Sequence, residues 1–324
     1  MDFGVDLDLF NGLIQMDFSY YHKKTVDLVN SVTLPSSTGF TSYKDNIGEV
    51  VNKGFEVQLR STLLNTKEWY VAVFANLAHN ENEITKISDS MKEYNRRVMD
   101  KYANYDTGYN KGDAAYADTY LQYVEGGSLT SIFAVKSLGI NPANGREVFV
   151  RPDGTITYDW NAADQVVVGN QEPKIQGTFG FNLRWKQFSL FSTFLYECGG
   201  QRYNSTLVDK VENARIADGN VDRRVLTGRW QKPGDLAPYG RFTKGIVSVT
   251  RPTSRFVQDY NMLSFNSLTL GYDFDMAWMK KAHIGMLRAE LSGNDLFHLS
   301  TVRIERGLDY PYARSFSASL KVSF

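Results

Sequence analysis

Few side chains in this sequence have the spacing that catalysis or metal binding requires. The four histidines stand far from one another and from paired carboxylates, so none belongs to a zinc ligand set: His22, His79, His283 and His298. The single cysteine, Cys198, excludes a disulfide or a cysteine metal site within the chain. No nucleophile elbow, phosphate-binding loop or dinucleotide fingerprint occurs either. The sequence therefore predicts that the protein is not an enzyme and uses no metal and no cofactor.

An acidic segment imitates the start of a calcium-binding loop. Asp218, Asn220 and Asp222 occupy the first, third and fifth positions of such a loop. The sixth position, where the loop needs glycine, is Arg223, and the twelfth, where it needs a carboxylate, is Arg229. A solvated turn is therefore the better interpretation of this segment.

Aromatic side chains are the residues best suited to bind a ligand. They make up 14% of the chain, with 19 Tyr and 20 Phe, and their flat faces can stack on sugar rings or contact peptide. The candidate contact residues in the long polar segments are Tyr116, Tyr120, Trp160, Trp230 and Tyr239. The same rings could equally pack these segments on themselves or against a protein partner, so both interpretations stay open.

Composition excludes several classes of protein. A formal net charge of +0 with 22% charged residues gives no field that would attract nucleic acid. Mean hydropathy is −0.35 and no apolar run approaches the length of a transmembrane helix. A membrane barrel, whose strands alternate lipid-facing and lumen-facing residues, is compatible with both observations.

Strict alternation of polar and apolar residues ends the chain. In the last ten residues the apolar side chains share one face of a strand with period two, whereas the serines and Lys321 share the other. This length matches the roughly 9–11 residues of a transmembrane β-strand. The residues predicted to form this barrel-closing strand are Phe316, Leu320, Val322 and Phe324.

The same alternation recurs along the chain and predicts nine strands. Their connections alternate in length, with tight turns near residues 11, 65, 186 and 278 and long polar segments at about 22–50, 81–174, 199–257 and 298–314. Outer-membrane barrels have short periplasmic turns and long extracellular loops. The sequence therefore predicts an all-β fold, an antiparallel transmembrane β-barrel with its long loops on one side.

Aromatic residues cluster where the predicted strands end, as the interfacial girdles of a membrane barrel require. They are Tyr20, Tyr21, Trp69, Tyr70, Trp185, Tyr196, Tyr203, Tyr260, Trp278, Tyr310 and Tyr312. Within the second long segment, Met91, Tyr94, Val98 and Tyr102 have helical spacing and predict a short amphipathic helix.

Charged residues share the face of the strands that would point into the lumen. They are Asp6, Asp8, Asp17, Glu56, Arg60, Arg184, Asp273, Arg288 and Glu290. In the lumen they need water, a plug or one another as partners. They could solvate the wall and hold a plug, or some of them could contact a solute.

Short segments rich in Gly, Asn and Pro mark the strand starts and the connections. They are Asn46–Glu56, Gly139–Gly145 followed by Asp153-Gly154, Val168–Asn170 with Pro173, Arg229–Asp235, Thr253–Val257, Leu268–Tyr272 and Gly293–Phe297. In this order, over nearly the whole chain, they resemble the SusC/RagA family of TonB-dependent outer-membrane transporters. The chain departs from the family pattern at Gly307-Leu308-Asp309, which runs into Tyr310-Pro311 where the family usually has Pro-Glu.

The resemblance implies a transporter with an N-terminal plug inside a barrel of about 22 strands. It implies an outer-membrane location in contact with lipid, energy supplied by TonB with ExbB and ExbD, and a surface lipoprotein of the SusD type as partner. It implies oligosaccharide as the cargo, with peptide as the runner-up. It further implies that the terminal Phe324 is read by the barrel-insertion machinery.

The start of the chain is an alternating strand, Met1–Asp8, without the basic and apolar regions of a signal peptide. We therefore expect residues 1–324 to be the C-terminal part of such a barrel, with the plug domain and the TonB box absent. Two rivals stay open: a surface-binding β-barrel or adhesin without transport, and a soluble β-sandwich. A plug encoded upstream would exclude the first, and recovery in outer membranes would exclude the second.

Overall fold

The structure is a computed structural model. It describes residues 1–33, 42–46, 48–103, 116–214, 216, 219–242, 249–276, 279, 283–303 and 314–324. Several positions singled out in the sequence lie outside these residues: Asp218, Trp278 and all those within 307–312.

Strands dominate the described part of the chain. In chain order they are β1 (Asp2–Leu9), β2 (Ile14–Thr25), β3 (Val29–Thr33), β4 (Ser42–Asn46), β5 (Gly48–Asn65), β6 (Trp69–Ile87), β7 (Ser131–Ile140), β8 (Glu147–Val150), β9 (Ile156–Thr157), β10 (Gln165–Asn170), β11 (Ile175–Trp185), β12 (Phe188–Tyr203), β13 (Val257–Phe274), β14 (Met286–Ser300) and β15 (Ser315–Ser323). The main helix, α1, covers Asp89–Ala103. Shorter helical turns cover Ala162–Asp164, Ser205–Leu207, Val208–Glu212, Arg224–Thr227 and Ser254–Phe256.

Nine of these strands form one large sheet in the order β1-β2-β5-β6-β11-β12-β13-β14-β15. Each strand pairs antiparallel with the next one in this order. The prediction of nine antiparallel strands is therefore confirmed. The sheet is open, because among the described residues β1 and β15 each have a single neighbour.

One face of this sheet is apolar. The register aligns a row of aliphatic side chains across six strands: Val71, Leu183, Leu190, Leu270, Leu291 and Ala318. Leu291 and Leu320 keep 60% and 65% of their surface exposed. An exposed apolar band of this kind suits lipid and would be unfavourable toward water.

The opposite face carries charged side chains that pair with one another. The Arg288 guanidinium lies 2.9 Å from an Asp273 oxygen and 2.8 Å from a Glu290 oxygen. Lys321 on β15 lies 2.6 Å from the other Glu290 oxygen. Three of the predicted lumen charges thus have partners within the wall itself.

Aromatic rows cross the apolar face at two levels. Near the short turns, Trp69 stacks on Trp185 with ring centroids 5.6 Å apart, and Phe188 continues the row 6.0 Å from Trp185. Toward the other end, Phe179 lies 5.0 Å from Phe194, which lies 4.4 Å from Phe265. Two such levels on a lipid-facing surface are the arrangement of interfacial girdles.

Residues in the tight turns have positive φ angles, in the left-handed region. Asn11 and Gly12 have φ of 56° and 83°, and Lys186 has φ of 52° between β11 and β12. Asn and Gly adopt this conformation at low cost. The short connections therefore lie where the Asn11-Gly12 and Lys186-Gln187 pairs predicted them.

Several strands are longer than a membrane span needs. β5, β6 and β13 have 18, 19 and 18 residues, roughly twice the length that a transmembrane strand needs. Their extensions carry polar residues, and the amide of Asn82 on β6 donates to Asn52 on β5 across 2.8 Å. β6 continues to Ile87, past the predicted start of the long segment at about residue 81, because polar residues on both faces leave no period of two there.

The long connections all leave the sheet at the end opposite the tight turns. Their described parts are folded: β3 pairs with β4, and β7–β10 form a four-stranded sheet in the order β10-β7-β8-β9. The predicted amphipathic helix is confirmed as α1, in which Met91, Val98 and Tyr102 are buried. None of the helices in the described ranges has the length and apolar character needed to cross a membrane.

Candidate functional site

The described residues of 89–170 and 204–256 form one folded body above the sheet, which we call the loop unit. Its first core joins α1 to the four-stranded sheet and includes Tyr102, Val135 and Trp160. The Tyr102 hydroxyl donates to the carbonyl of Asp118 across 2.5 Å. Burial raises the pKa of Tyr102 far above its ordinary value, so this ring is a neutral part of the core.

The second core of the loop unit comes from residues 204–256. Val208, Val211, Val225 and Phe256 pack together in it. The Arg229 guanidinium donates to four backbone carbonyls beside this core, those of Val211 (2.8 Å), Glu212 (2.8 Å), Gly240 (3.0 Å) and Val225 (3.2 Å). Burial lowers the pKa of Arg229, and these carbonyls satisfy its donors.

A buried ion cluster connects the two halves of the loop unit. The Arg255 guanidinium lies 2.9 Å from a carboxylate oxygen of Glu147 on β8 and 2.9 Å from one of Glu212. All three side chains are at most 10% exposed. Although burial opposes its charge, Glu212 and Glu147 hold the pKa of Arg255 above its ordinary value. A charged cluster at this depth is stable only with all its partners in place.

Three of the five aromatic residues predicted as candidate contacts are packed inside the loop unit. Tyr116, Trp160 and Tyr239 keep only 7%, 9% and 7% of their surface exposed. The Trp160 indole also donates to the carbonyl of Pro252 across 2.9 Å. Their rings therefore stabilise the loop unit, and ligand contact by them stays a prediction.

Trp230 is fixed by a close approach to Gly145. A Cβ atom built on Gly145 would lie 2.5 Å from the indole ring, and Gly145 has φ of +70°. The Trp230 indole donates to the carbonyl of Pro142 across 2.8 Å. Ligand contact by Trp230 is also untested, since its nitrogen and one ring face are occupied by the loop unit.

Tyr120 is the predicted contact residue that lines a cavity. This space, which we call the polar-face cavity, has a volume of about 510 Å³. It is lined by Asp118, Thr119, Tyr120, Gln171, Arg202, Tyr203 and Ser205. Apart from Tyr120, sequence reasoning missed these residues as contacts, because they come from three distant segments and carry no motif.

Arg202 and Tyr203 are held in place on one side of the polar-face cavity. The Arg202 guanidinium lies 3.6 Å from the centroid of the Tyr260 ring and 3.7 Å from a Glu197 oxygen. The Tyr203 hydroxyl donates to the carbonyl of Ala117 across 3.0 Å. These contacts hold both side chains in place, so that they form one side of the cavity with aromatic and polar surface.

A second cavity, of about 560 Å³, lies beside β11–β13 and is lined by residues including His79, Lys174 and Gln201. Its polar groups bond to one another. The Gln201 amide donates to Asp259 across 3.1 Å, and its oxygen accepts from the Asn170 backbone. Because these polar groups already have hydrogen-bond partners, they hold the strand ends together and leave few donors or acceptors for a ligand.

The spacing of the histidines predicts that they form no metal site. Within the described ranges, no group of three or more His, Cys, Asp and Glu side chains is arranged to hold a metal ion. Cys198 is exposed.

The five predicted contact residues and the closing strand lie far apart in the fold. Phe316, Leu320, Val322 and Phe324 belong to β15 or follow it, at the edge of the sheet, and all four are exposed. Leu320 faces Ala289, whereas Ser319 faces Glu290 on the charged side. The alternation predicted for this strand agrees with the register.

Comparisons with known proteins agree with this architecture. No protein-family model matches the chain. The chain is 26% identical over 348 residues to TonB-dependent receptor P3 of Formosa agariphila, which covers 100% of this chain and 34% of that receptor. It is 23% identical over 336 residues to TonB-dependent receptor SusC of Bacteroides thetaiotaomicron, which covers 99% of this chain and 31% of SusC.

A solved structure shares the fold. The RagAB peptide transporter superposes with a TM-score of 0.75 at 21% identity, over 100% of this chain and 35% of that chain. The chain spans about a third of the length of the curated relatives that it matches. The chain is therefore similar to TonB-dependent receptors, SusC among them, and its nine-stranded sheet corresponds to a C-terminal portion of their outer-membrane β-barrel.

Proposed function

We propose that this chain is part of a TonB-dependent importer that takes up oligosaccharides across the outer membrane. The observation that carries the proposal is the similarity of the whole of this chain to about a third of TonB-dependent receptors, combined with a sheet that has one lipid-type face and one charged face. The wall formed by these strands would enclose part of the import channel. The remainder of the barrel, the plug and the TonB box would belong to other parts of the complete receptor.

The loop unit is the proposed extracellular part of the importer. Outer-membrane barrels place long loops outside the cell and short turns in the periplasm. With this orientation the tight turns at residues 11 and 186 face the periplasm, where TonB, ExbB and ExbD act. The approximate segments 22–50, 81–174, 199–257 and 298–314 are then extracellular.

A SusD-like surface lipoprotein is the proposed partner of the loop unit. Large apolar side chains are exposed on it, including Leu236 at 89%, Ile156 at 65% and Leu138 at 64%. Exposed apolar residues of this size favour contact with another protein. The aromatic apolar face of the sheet would meanwhile contact outer-membrane lipid.

Peptide import is the second candidate function. It is favoured by the likeness of the fold to a structure described as a peptide transporter. Oligosaccharide import is favoured by the hydrogen-bonding groups that line the polar-face cavity. The two functions differ in cargo and share the same energy source and the same membrane.

The test is growth of a strain that lacks the full-length gene, complemented with the wild-type gene. We expect growth on at least one oligosaccharide to depend on both this gene and TonB, whereas growth on a casein digest should not change. Dependence on the gene for peptides alone would replace the proposal with peptide import. Growth that is independent of TonB would contradict both functions.

A further inference from the structure

We propose that the polar-face cavity binds a sugar unit of a neutral oligosaccharide through Asp118, Gln171 and Ser205. This inference rests on the proposed import of oligosaccharides, and it assigns a binding site to residues outside the five predicted contacts.

The position of the cavity is the first argument. Arg202 shares its face of β12 with Glu197, because the register pairs Arg202 with Gln258 and Glu197 with Met262. Glu197 also faces Gln176, which continues the charged side of the sheet. The cavity therefore opens on the proposed lumen side, where the strands of the wall meet the loop unit. A solute that enters between the loops would pass this point.

The free hydrogen-bonding groups are the second argument. Among the described residues, the side chains of Asp118, Gln171 and Ser205 have no hydrogen-bond partner, and all three are exposed toward the cavity opening. The Asp118 carboxylate can accept hydrogen bonds, whereas the Gln171 amide and the Ser205 hydroxyl can each donate and accept them. The vicinal hydroxyls of a sugar ring need this mixture, since each hydroxyl donates one bond and accepts others.

The charge of the cavity favours a neutral ligand. The one guanidinium in its lining, Arg202, already has Glu197 and the Tyr260 ring as partners. Lys101 is hydrogen-bonded to the Tyr120 hydroxyl at the other side. The Asp118 carboxylate, which interacts with the charges of Lys101 and Asp209, would repel an acidic ligand and accept bonds from hydroxyls.

Size and shape agree with a short stretch of oligosaccharide. A volume of about 510 Å³ lies within the roughly 300–1,000 Å³ of small-molecule sites. Tyr120 and Tyr203 also line the cavity, with the Tyr120 ring covered on one face by Lys101 and the Tyr203 ring packed against Phe256. In the second cavity the Gln201 amide is already bonded to Asp259 and to the Asn170 backbone.

The experiment measures binding of oligosaccharides to the purified full-length receptor in detergent, by titration calorimetry. The probes are maltohexaose, cellohexaose, xylohexaose, laminarihexaose and mannohexaose, with a tryptic digest of casein as the peptide probe. The variants are Gln171→Ala and Asp118→Asn. The matched control is Asp159→Asn, which removes an exposed carboxylate outside the cavity. Heat-modifiable mobility of every variant checks that the barrel is folded.

We expect at least one hexasaccharide to bind. Gln171→Ala should weaken its binding about three- to tenfold, and Asp118→Asn about tenfold or more, because hydrogen bonds to a charged group are stronger. Asp159→Asn should bind like the wild type. Weakening of peptide binding by the two cavity variants, with no binding of any hexasaccharide, would overturn the sugar assignment.

The inference and the proposed function can fail separately. Unchanged affinity in both cavity variants, together with TonB-dependent uptake of the bound hexasaccharide by cells, would overturn this site and leave oligosaccharide import standing. Absence of TonB-dependent uptake of every hexasaccharide by wild-type cells would instead overturn the proposed function.

Discussion

Arg255 and Glu147 are 108 positions apart in sequence, yet the Arg255 guanidinium lies 2.9 Å from the Glu147 carboxylate in the interior of the loop unit. Glu212 approaches the same guanidinium at 2.9 Å. This cluster connects β8 to the segment that leads into β13. Two long connections of the sheet are thereby held as one body.

Glu147→Gln should loosen the loop unit. Removing one partner from a buried ion pair costs about 3–5 kcal/mol, and we expect the lower end because Glu212 remains beside Arg255. The measurement is the rate of trypsin cleavage within residues 131–256 of the full-length receptor. Asp159→Asn is the control, since it breaks an exposed pair at 3.8 Å, worth about 0–1 kcal/mol. Equal cleavage rates in the two variants would show that the cluster does not hold the unit.

Gly145→Ala should destabilise the loop unit more than Gly154→Ala. Both glycines have positive φ, +70° and +85°, so alanine is strained by about 1–2 kcal/mol at either position. Only at Gly145 would the new Cβ also press on Trp230, at 2.5 Å, whereas no heavy atom lies within 4 Å at Gly154. Hydrogen exchange of residues 139–160 in the full-length receptor should be faster in Gly145→Ala. Equal exchange would argue against tight Gly145–Trp230 packing.

Leu320→Arg should impair barrel assembly, and Ser319→Arg should be tolerated. Leu320 faces Ala289 on the apolar side, while Ser319 faces Glu290 on the charged side. An arginine on the lipid side costs about 2–4 kcal/mol near the bilayer midplane. The measurement is the heat-modifiable fraction of the full-length protein in outer membranes. The reverse order of the two variants would mean that the strand faces are inverted.

Labelling of single cysteines on intact cells tests the orientation. In a Cys198→Ser background, which removes the exposed native thiol, Asn220→Cys should react with a membrane-impermeant maleimide. Lys67→Cys, in the turn after Asn65, should react only after the cells are lysed. Surface labelling at residue 67 would place the tight turns outside the cell.

The 324-residue chain expressed alone behind a signal peptide should not form a stable barrel. Each of its edge strands, β1 and β15, pairs on one side only within the described residues. Every backbone group left unpaired in lipid costs several kcal/mol. We expect degradation or aggregation, and no heat-modifiable band. TonB-dependent growth restored by this chain alone would require a sheet that closes without further strands.

The sequence predicted the strands of the wall because lipid on one side and polar contacts on the other impose a period of two. It predicted α1 because Met91, Val98 and Tyr102 recur at helical spacing. The burial of Trp160 could not be predicted, since its indole bonds to Pro252, 92 positions away. The polar-face cavity could not be predicted for the same reason, because Asp118, Gln171 and Arg202 come together only after three segments have folded.

The length of β5, β6 and β13 sets the height at which cargo would be captured. A strand of 18 residues spans about 60 Å and, tilted by about 45°, rises about 43 Å. The apolar band of an outer-membrane barrel is about 25 Å tall. The wall therefore continues beyond the bilayer, and its extracellular end lies above the lipid headgroups. A ligand at that height exchanges with bulk water and not with the crowded membrane surface.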